Sequence, residues 1–239
     1  IWKQLLFFFF PILIGSFFQQ LYNTVDTIIV GQTVGTSALA AVGSTGNLTN
    51  LIINFYVGLS TGASVVIAQY YGAQNNKKIH QAVHTSYSLA IVSGILMMLF
   101  GLFFSYQCLD AIGTPHDILN DATLYMQLYF LCMIPGAIYN IGAGILRAVG
   151  DSKRPLYYLI VCSIVNVVFD FIFVVIFHQG IAGAAIATVI AQSVCAILVT
   201  IQLMRTNEVY KLTLSKMKFH LPVLKKIIMI GAPAGIQST

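Results

Sequence analysis

The chain has 239 residues, 58% of them hydrophobic and 8% charged, against about 25% charged in soluble domains. With a mean hydropathy of +0.85, this excludes an ordinary soluble globular protein and makes a polytopic helical membrane protein the default. The net charge of +5 falls in loops, where it sets orientation in a membrane and does not mark a nucleic-acid-binding surface.

Taken in order, the first apolar run predicts a span over about 5–30, with Pro11 in its first turns. No cleavage-like site follows it, so it is expected to be a span and not a signal peptide. Gln19, Tyr22, Asn23 and Asp26 recur at helical spacing and form one polar stripe, a candidate cavity lining. No Asp, Glu, Lys or Arg occurs between Thr27 and Asn76. Gly31, Gly35, Gly43 and Gly46 are expected to break this stretch into a turn region and a second span over about 48–71. Gly58-x-x-x-Gly62 permits close approach of another helix.

Asn75, Asn76, Lys77 and Lys78 form a polar loop before a third span, about 82–106; His80 and His84 are expected to be solvated. Asp110, Asp117 and Asp121 lie in a loop without Lys or Arg. The fourth span covers about 122–146, with a kink expected at Pro135. Arg147 and Asp151 in the following loop have the spacing of an i, i+4 pair. The fifth span covers about 156–177, a tight turn falls at 178–180, and the sixth covers about 182–204. Cys108, Cys132, Cys162 and Cys195 show no C-x-x-C spacing and read as free thiols.

These boundaries give a six-helix lobe over 1–204, a basic cytoplasmic linker over 205–226 and the start of a seventh helix over 227–239. The loops after spans two, four and six hold two, three and six basic residues, and those after spans one, three and five hold none. The alternation predicts a multi-pass protein of the cell inner (plasma) membrane with both ends of the lobe cytoplasmic. Pro11-x-x-Ile14-x-Ser16 recurs as Pro233-x-x-Ile236-x-Ser238, a faint sign of a second, parallel repeat. The chain opens without Met and stops inside an apolar run, so it is expected to be a piece of something longer.

One carboxylate dominates the fifth span. Asp170 follows Asn166 by four residues, on the same helix face. A carboxylate at a lipid-facing helix centre is disfavoured by roughly 2.5–3.5 kcal/mol, so it is expected to face protein or a water cavity and to serve a function. At 1.5 Å per residue, Asp26 lies roughly 8 Å, Thr188 roughly 9 Å and Asp170 roughly 12 Å from the outer end of their spans. Tyr125 lies at similar depth, and Gln192 one turn beyond Thr188. Two carboxylates in a poorly hydrated site favour proton uptake, and with Asn and Thr oxygens the site also suits Na⁺, a hard cation. Glue-like interhelical hydrogen bonding is the plainer alternative. Asn140, like Asn47, Asn50 and Asn54, reads as a packing or cavity-lining group.

Gln19-Gln-Leu-Tyr-Asn-Thr-Val-Asp-Thr-Ile-Ile-Val-Gly31 and Ala38-Leu-Ala-Ala-Val-Gly43 resemble the first span and its junction in the multidrug and toxic compound extrusion (MATE) transporters. Ile145-Leu-Arg-Ala-Val-Gly-Asp-Ser-Lys-Arg-Pro155, Asn166-x-x-x-Asp170 and Gly180-Ile-Ala-Gly-Ala-Ala-Ile-Ala-Thr188 resemble the family's span 4–5 junction, its span 5 polar pair and its span 6 entry, nearest the DinF-like branch. The resemblance implies an all-α polytopic membrane protein, one six-helix lobe of a twelve-helix transporter. It implies a secondary antiporter, not an enzyme, exporting cationic amphipathic compounds against H⁺ or Na⁺, with no cofactor. Its coupling site, and any bound Na⁺, map onto Asp26, Asn166, Asp170 and Thr188, with Tyr125 nearby. The second, C-terminal lobe is the expected partner, together with the lipid bilayer.

Three rivals stand beside this reading. A lipid-linked oligosaccharide flippase of the same superfamily is disfavoured by the expected lack of Lys or Arg inside any span. A membrane enzyme is disfavoured by the scatter of Asp110, Asp117 and Asp121. A non-transporting assembly partner is the third.

Overall fold

The structure, a computed structural model, describes residues 2–33 and 36–237; within the helices the side chains of residues 2–8, 22, 23, 26, 30, 32, 33, 36–39, 41, 42, 47, 48 and 236 lie outside the description. The described chain is almost wholly helical. Its elements are α1 (Trp2–Thr33), α2 (Thr36–Gly72), α3 (Asn76–Ala111), α4 (His116–Phe130), α5 (Met133–Ala148), α6 (Lys153–Asp170), α7 (Gly180–Arg205) and α8 (Leu221–Gln237). A π-helical turn, Phe171–Ile176, continues α6, and a 3₁₀ turn, Leu214–Lys216, lies between α7 and α8.

Among the described residues four helices are long and apolar enough to cross a bilayer, and α4 with α5 forms a fifth, bent by 47°. α1 contributes the apolar segment Phe9–Leu21. Its 32 residues at 1.5 Å each exceed a hydrocarbon core of about 30 Å. Large apolar side chains point outwards, among them Phe17, Leu96, Phe103 and Met229. Small ones fill the inside: Ala63, Ala82, Ala90, Ala137 and Ala185 are fully buried. Lipid tails are as apolar as leucine, so close backbone approach, not exclusion of water, holds such a bundle together.

The helix ends follow local chemistry. Asn75 caps α3, its side chain accepting from the Lys78 N–H at 3.1 Å, so Asn76–Lys78 form a first helical turn and not a loop. Gly113 (φ 82°) and Gly150 (φ 91°) end α3 and α5 in the left-handed region, as helix C-termini favour. Asp151 does not pair with Arg147, as its spacing suggested. It accepts from the Arg154 N–H at 3.2 Å and forms an ion pair with the Arg154 guanidinium, also at 3.2 Å, and so caps the start of α6.

Two expected breaks fall elsewhere. Gly43 and Gly46 lie inside α2, which starts at Thr36. A glycine costs about 1 kcal/mol against alanine in a helix, too little to open a helix where lipid offers its backbone no other partner. The fourth span does bend, but at Leu131–Cys132, ahead of Pro135. Pro135 has no N–H for the Leu131 carbonyl, and its ring collides with that carbonyl, so the helix opens one turn before the proline. The gap is bridged by short turns, Leu131 N–H to Leu128 and Cys132 N–H to Tyr129, at 3.1 and 3.0 Å.

α3 packs on α4 just before this break. A Cβ on Gly101 would overlap the ring of Phe130, which is 2% exposed. Gly101→Ala is expected to destabilise the bundle by about 1–3 kcal/mol through overpacking, read as a lower melting temperature in detergent. Gly101→Ala with Phe130→Leu should recover part of the loss; an unshifted melt for Gly101→Ala would refute this packing.

His84 is not solvated: it is 1% exposed. Its Nδ1 lies 2.8 Å from the His80 carbonyl, and its Nε2 lies 3.1 Å from the Thr213 amide nitrogen. With the proton on Nδ1 both bonds form, one donated and one accepted. The segment before α8 is thus fastened to α3. The His220 N–H adds a bond to the Thr85 hydroxyl at 3.2 Å, and the Leu212 N–H one to the Leu203 carbonyl at 2.8 Å. α8 begins at Leu221, ahead of the apolar run at Ile227, so Lys225 and Lys226 belong to the helix.

Candidate functional site

Asp170 closes α6 and is fully buried; Asn166, one turn earlier, is 1% exposed and Ser163 5%. These residues share the face of α6 that meets α7. Across the contact Thr188 is also buried. The Asn166 Nδ2 donates to the Thr188 Oγ1 at 3.4 Å, and the Thr188 hydroxyl donates to the Ala184 carbonyl at 3.1 Å. Gly183 lets α7 approach: a Cβ there would stand 3.1 Å from the Phe173 backbone. The structure therefore joins three of the expected coupling residues, Asn166, Asp170 and Thr188. Asp26, Tyr22 and Asn23 lie outside the described side chains. α1, which carries them, packs along α6 and the π-helical turn.

Asn166 Oδ1 is buried and has no hydrogen-bond partner among the described residues. Leaving such an acceptor dry costs about 1–3 kcal/mol. With the Asp170 carboxylate and the Thr188 hydroxyl it makes a set of hard oxygen donors. That set fits a proton or Na⁺ better than a soft metal ion.

The helix changes winding immediately after Asp170. In the π-helical turn the Phe177 N–H bonds to the Ile172 carbonyl at 2.9 Å, five residues back, and the Gln179 N–H reaches the Phe173 carbonyl at 2.9 Å. His178 (φ 54°) and Gly180 (φ 59°) then turn the chain into α7. Single π turns inside α-helices cluster at functional sites, and this one separates Asp170 from the tight turn expected at 178–180. The run Phe-Ile-Phe-Val-Val-Ile-Phe gives no signal of it.

Tyr125 is buried on α4, where its ring stacks on Tyr129 with centroids 6.1 Å apart. Gln19, Asn140 and Gln192 are brought together elsewhere, in a second place. They line a polar cavity of about 240 Å³ between α1, α2, α5, α6 and α7, with Tyr139 and Arg147. The cavity reaches α6 at Leu159, and eleven residues of rise separate Leu159 from Asp170, about 16 Å. The lobe thus holds a carboxylate site in one half and a polar cavity in the other. Arg147 lines this cavity from the end of its span, a role the sequence did not suggest. The sequence hid it because Arg147 sits where the apolar run ends, in the last turn of α5.

The four cysteines are free thiols. Cys162 and Cys195 donate across the α6–α7 contact to the carbonyls of Ala191 and Tyr158, each at 3.2 Å.

The profile of the MatE family matches residues 11–172. The "Probable multidrug resistance protein YoeA" of Bacillus subtilis is 29% identical over 245 residues, covering 99% of this chain and 52% of that protein. The "Multidrug export protein MepA" of Staphylococcus aureus (strain NCTC 8325) is 22% identical over 238 residues, covering 100% and 53%. A solved MATE structure in the straight conformation superposes with a TM-score of 0.90 at 27% identity, covering 98% of this chain and 52% of that one. A transporter of the MOP superfamily from Pyrococcus furiosus, described as having a binding pocket of reverse polarity, gives 0.88 at 28%, covering 96% and 51%. The chain spans about half the length of the relatives it matches.

Proposed function

The chain belongs to the MatE family, and we propose that it forms the N-terminal lobe of a secondary antiporter that exports cationic amphipathic compounds in exchange for H⁺ or Na⁺. The observation that carries the coupling is the fully buried Asp170 on a membrane-spanning helix, with Asn166 and Thr188 beside it. Asp26 is the proposed fourth member; its helix packs on α6 and the π-helical turn. Binding of the ion at these oxygens favours one packing of α1, α6 and α7 over another, and that difference is what an antiporter converts into a change in drug affinity. The polar cavity of Gln19, Asn140 and Gln192 is the proposed substrate-lining part of this lobe. A second lobe supplies its other wall. The basic turns at one end support a plasma-membrane topology with that end cytoplasmic.

The test is efflux of a cationic dye by the full-length protein in lipid vesicles under an imposed pH or Na⁺ gradient. Efflux driven by one gradient names the ion. Dye movement indifferent to both gradients would falsify coupled antiport and leave the assembly-partner reading.

A further inference from the structure

We infer that the polar cavity of this lobe holds an acidic group of its ligand, with Arg147 as the counter-charge; this rests on the cavity's being part of the substrate path. The ligand class is an amphiphile that carries a carboxylate or phosphate, zwitterionic where it also bears an amine. Arg147 lines the cavity between α1, α2, α5, α6 and α7. Among the described residues no carboxylate stands within ion-pair distance of it, and Asp151, four residues on, is occupied by Arg154.

An arginine in the last turn of a helix often does no more than cap that helix. Here the carbonyls it would cap are already bonded. The Val149 and Asp151 N–H groups bond to the Leu146 carbonyl at 3.3 and 2.9 Å, and the Gly150 N–H bonds to that of Arg147 at 3.0 Å. The neighbouring polar side chains are neutral, among them Ser16, Gln19, Ser152 and Gln192. Asn140 has its amide committed to the Gly136 carbonyl at 2.9 Å. Among the described lining residues Arg147 is the one with a full charge, and it is positive. A planar guanidinium offers paired donors that match a carboxylate or phosphate edge to edge, and it does so best where water is scarce. A cationic amphiphile is held best where an acidic group of its own faces Arg147 and its amine lies away from that end.

The experiment uses two fluorescent amphiphiles with the same amine and ring system, one carrying a carboxylate and the other its methyl ester. Binding to the full-length protein in nanodiscs is measured for the wild type, Arg147→Gln and Arg147→Lys. The wild type is expected to prefer the carboxylate about tenfold, the scale of one charge-assisted bond. Arg147→Gln should narrow the gap to within about twofold, and Arg147→Lys, which keeps the charge without the fork, should restore part of it. The gap between the probes is the readout, so a general loss of affinity does not mimic the result. Equal binding by the wild type, or a preference that survives Arg147→Gln, overturns the acid site and leaves the antiporter reading standing. Failure of both probes to bind overturns the substrate path itself, and the acid site with it.

Discussion

Replacing Asp170 by Asn is expected to abolish the dye gradient that the proposed antiport would sustain in the full-length protein. A pH difference of one unit stores about 1.4 kcal/mol per proton exchanged, enough for a tenfold dye ratio across the membrane. An amide of the same shape exchanges no proton, so the Asp170→Asn protein should hold a ratio near one under the same pH gradient. If Na⁺ is the coupling ion, the same loss follows, because the site then lacks its charged ligand. The substitution should not unfold the lobe, since it keeps the side-chain volume and removes the cost of burying a carboxylate. A melting curve measured alongside separates lost coupling from lost structure. Full dye accumulation by a well-folded Asp170→Asn protein would reduce Asp170 to interhelical glue.

Gly62→Ala is expected to have the largest effect on stability. α2 and α8 cross at four glycines, Gly58 and Gly62 on one helix and Gly231 and Gly235 on the other. A Cβ on Gly58 would stand 2.5 Å from the Gly235 Cα, and one on Gly62 would overlap the Ile227 carbonyl and stand 2.8 Å from the Gly231 nitrogen. All of these neighbours are backbone, so neither contact is relieved by rotating a side chain. The helices must separate, with a loss on the order of 3 kcal/mol, the upper part of the range for overpacking. Gly58→Ala should act on the same joint, and the double variant should lose less than the sum. Val65→Ala, on the exposed side of α2, is the control. A Gly62→Ala protein that melts with the wild type would show that α8 does not sit on α2 in this way.

The spans were legible because lipid imposes a length and a composition on each one. Asp170 was legible for the same reason, as a charge that lipid does not tolerate. That its helix would meet Thr188 at this level followed from depth alone, since a helix rises a fixed distance per residue, and Asn166 makes that contact. The π-helical turn was not legible, because winding by five residues leaves an apolar run as apolar as before. Arg147 was missed because it borders a loop, and only packing decides whether such a side chain turns inwards. His84 was missed for a related reason: its partner, Thr213, lies far along the chain. Gly58 and Gly62 announced a close approach in the sequence, but not to which helix. The answer, α8, lies beyond the six-helix lobe.

The stretch from 206 to 220 looks like slack between two halves. A free loop of this size loses freedom when its ends are fixed, by a penalty that grows with the logarithm of its length. Here Leu203, His84 and Thr85 hold it at three places, so most of that loss is settled within the first half alone. α8 is then delivered to α2 from an anchored starting point, at high local concentration. What reads as a hinge in the chain is, mechanically, a strut. Motion of whatever follows must begin beyond His220.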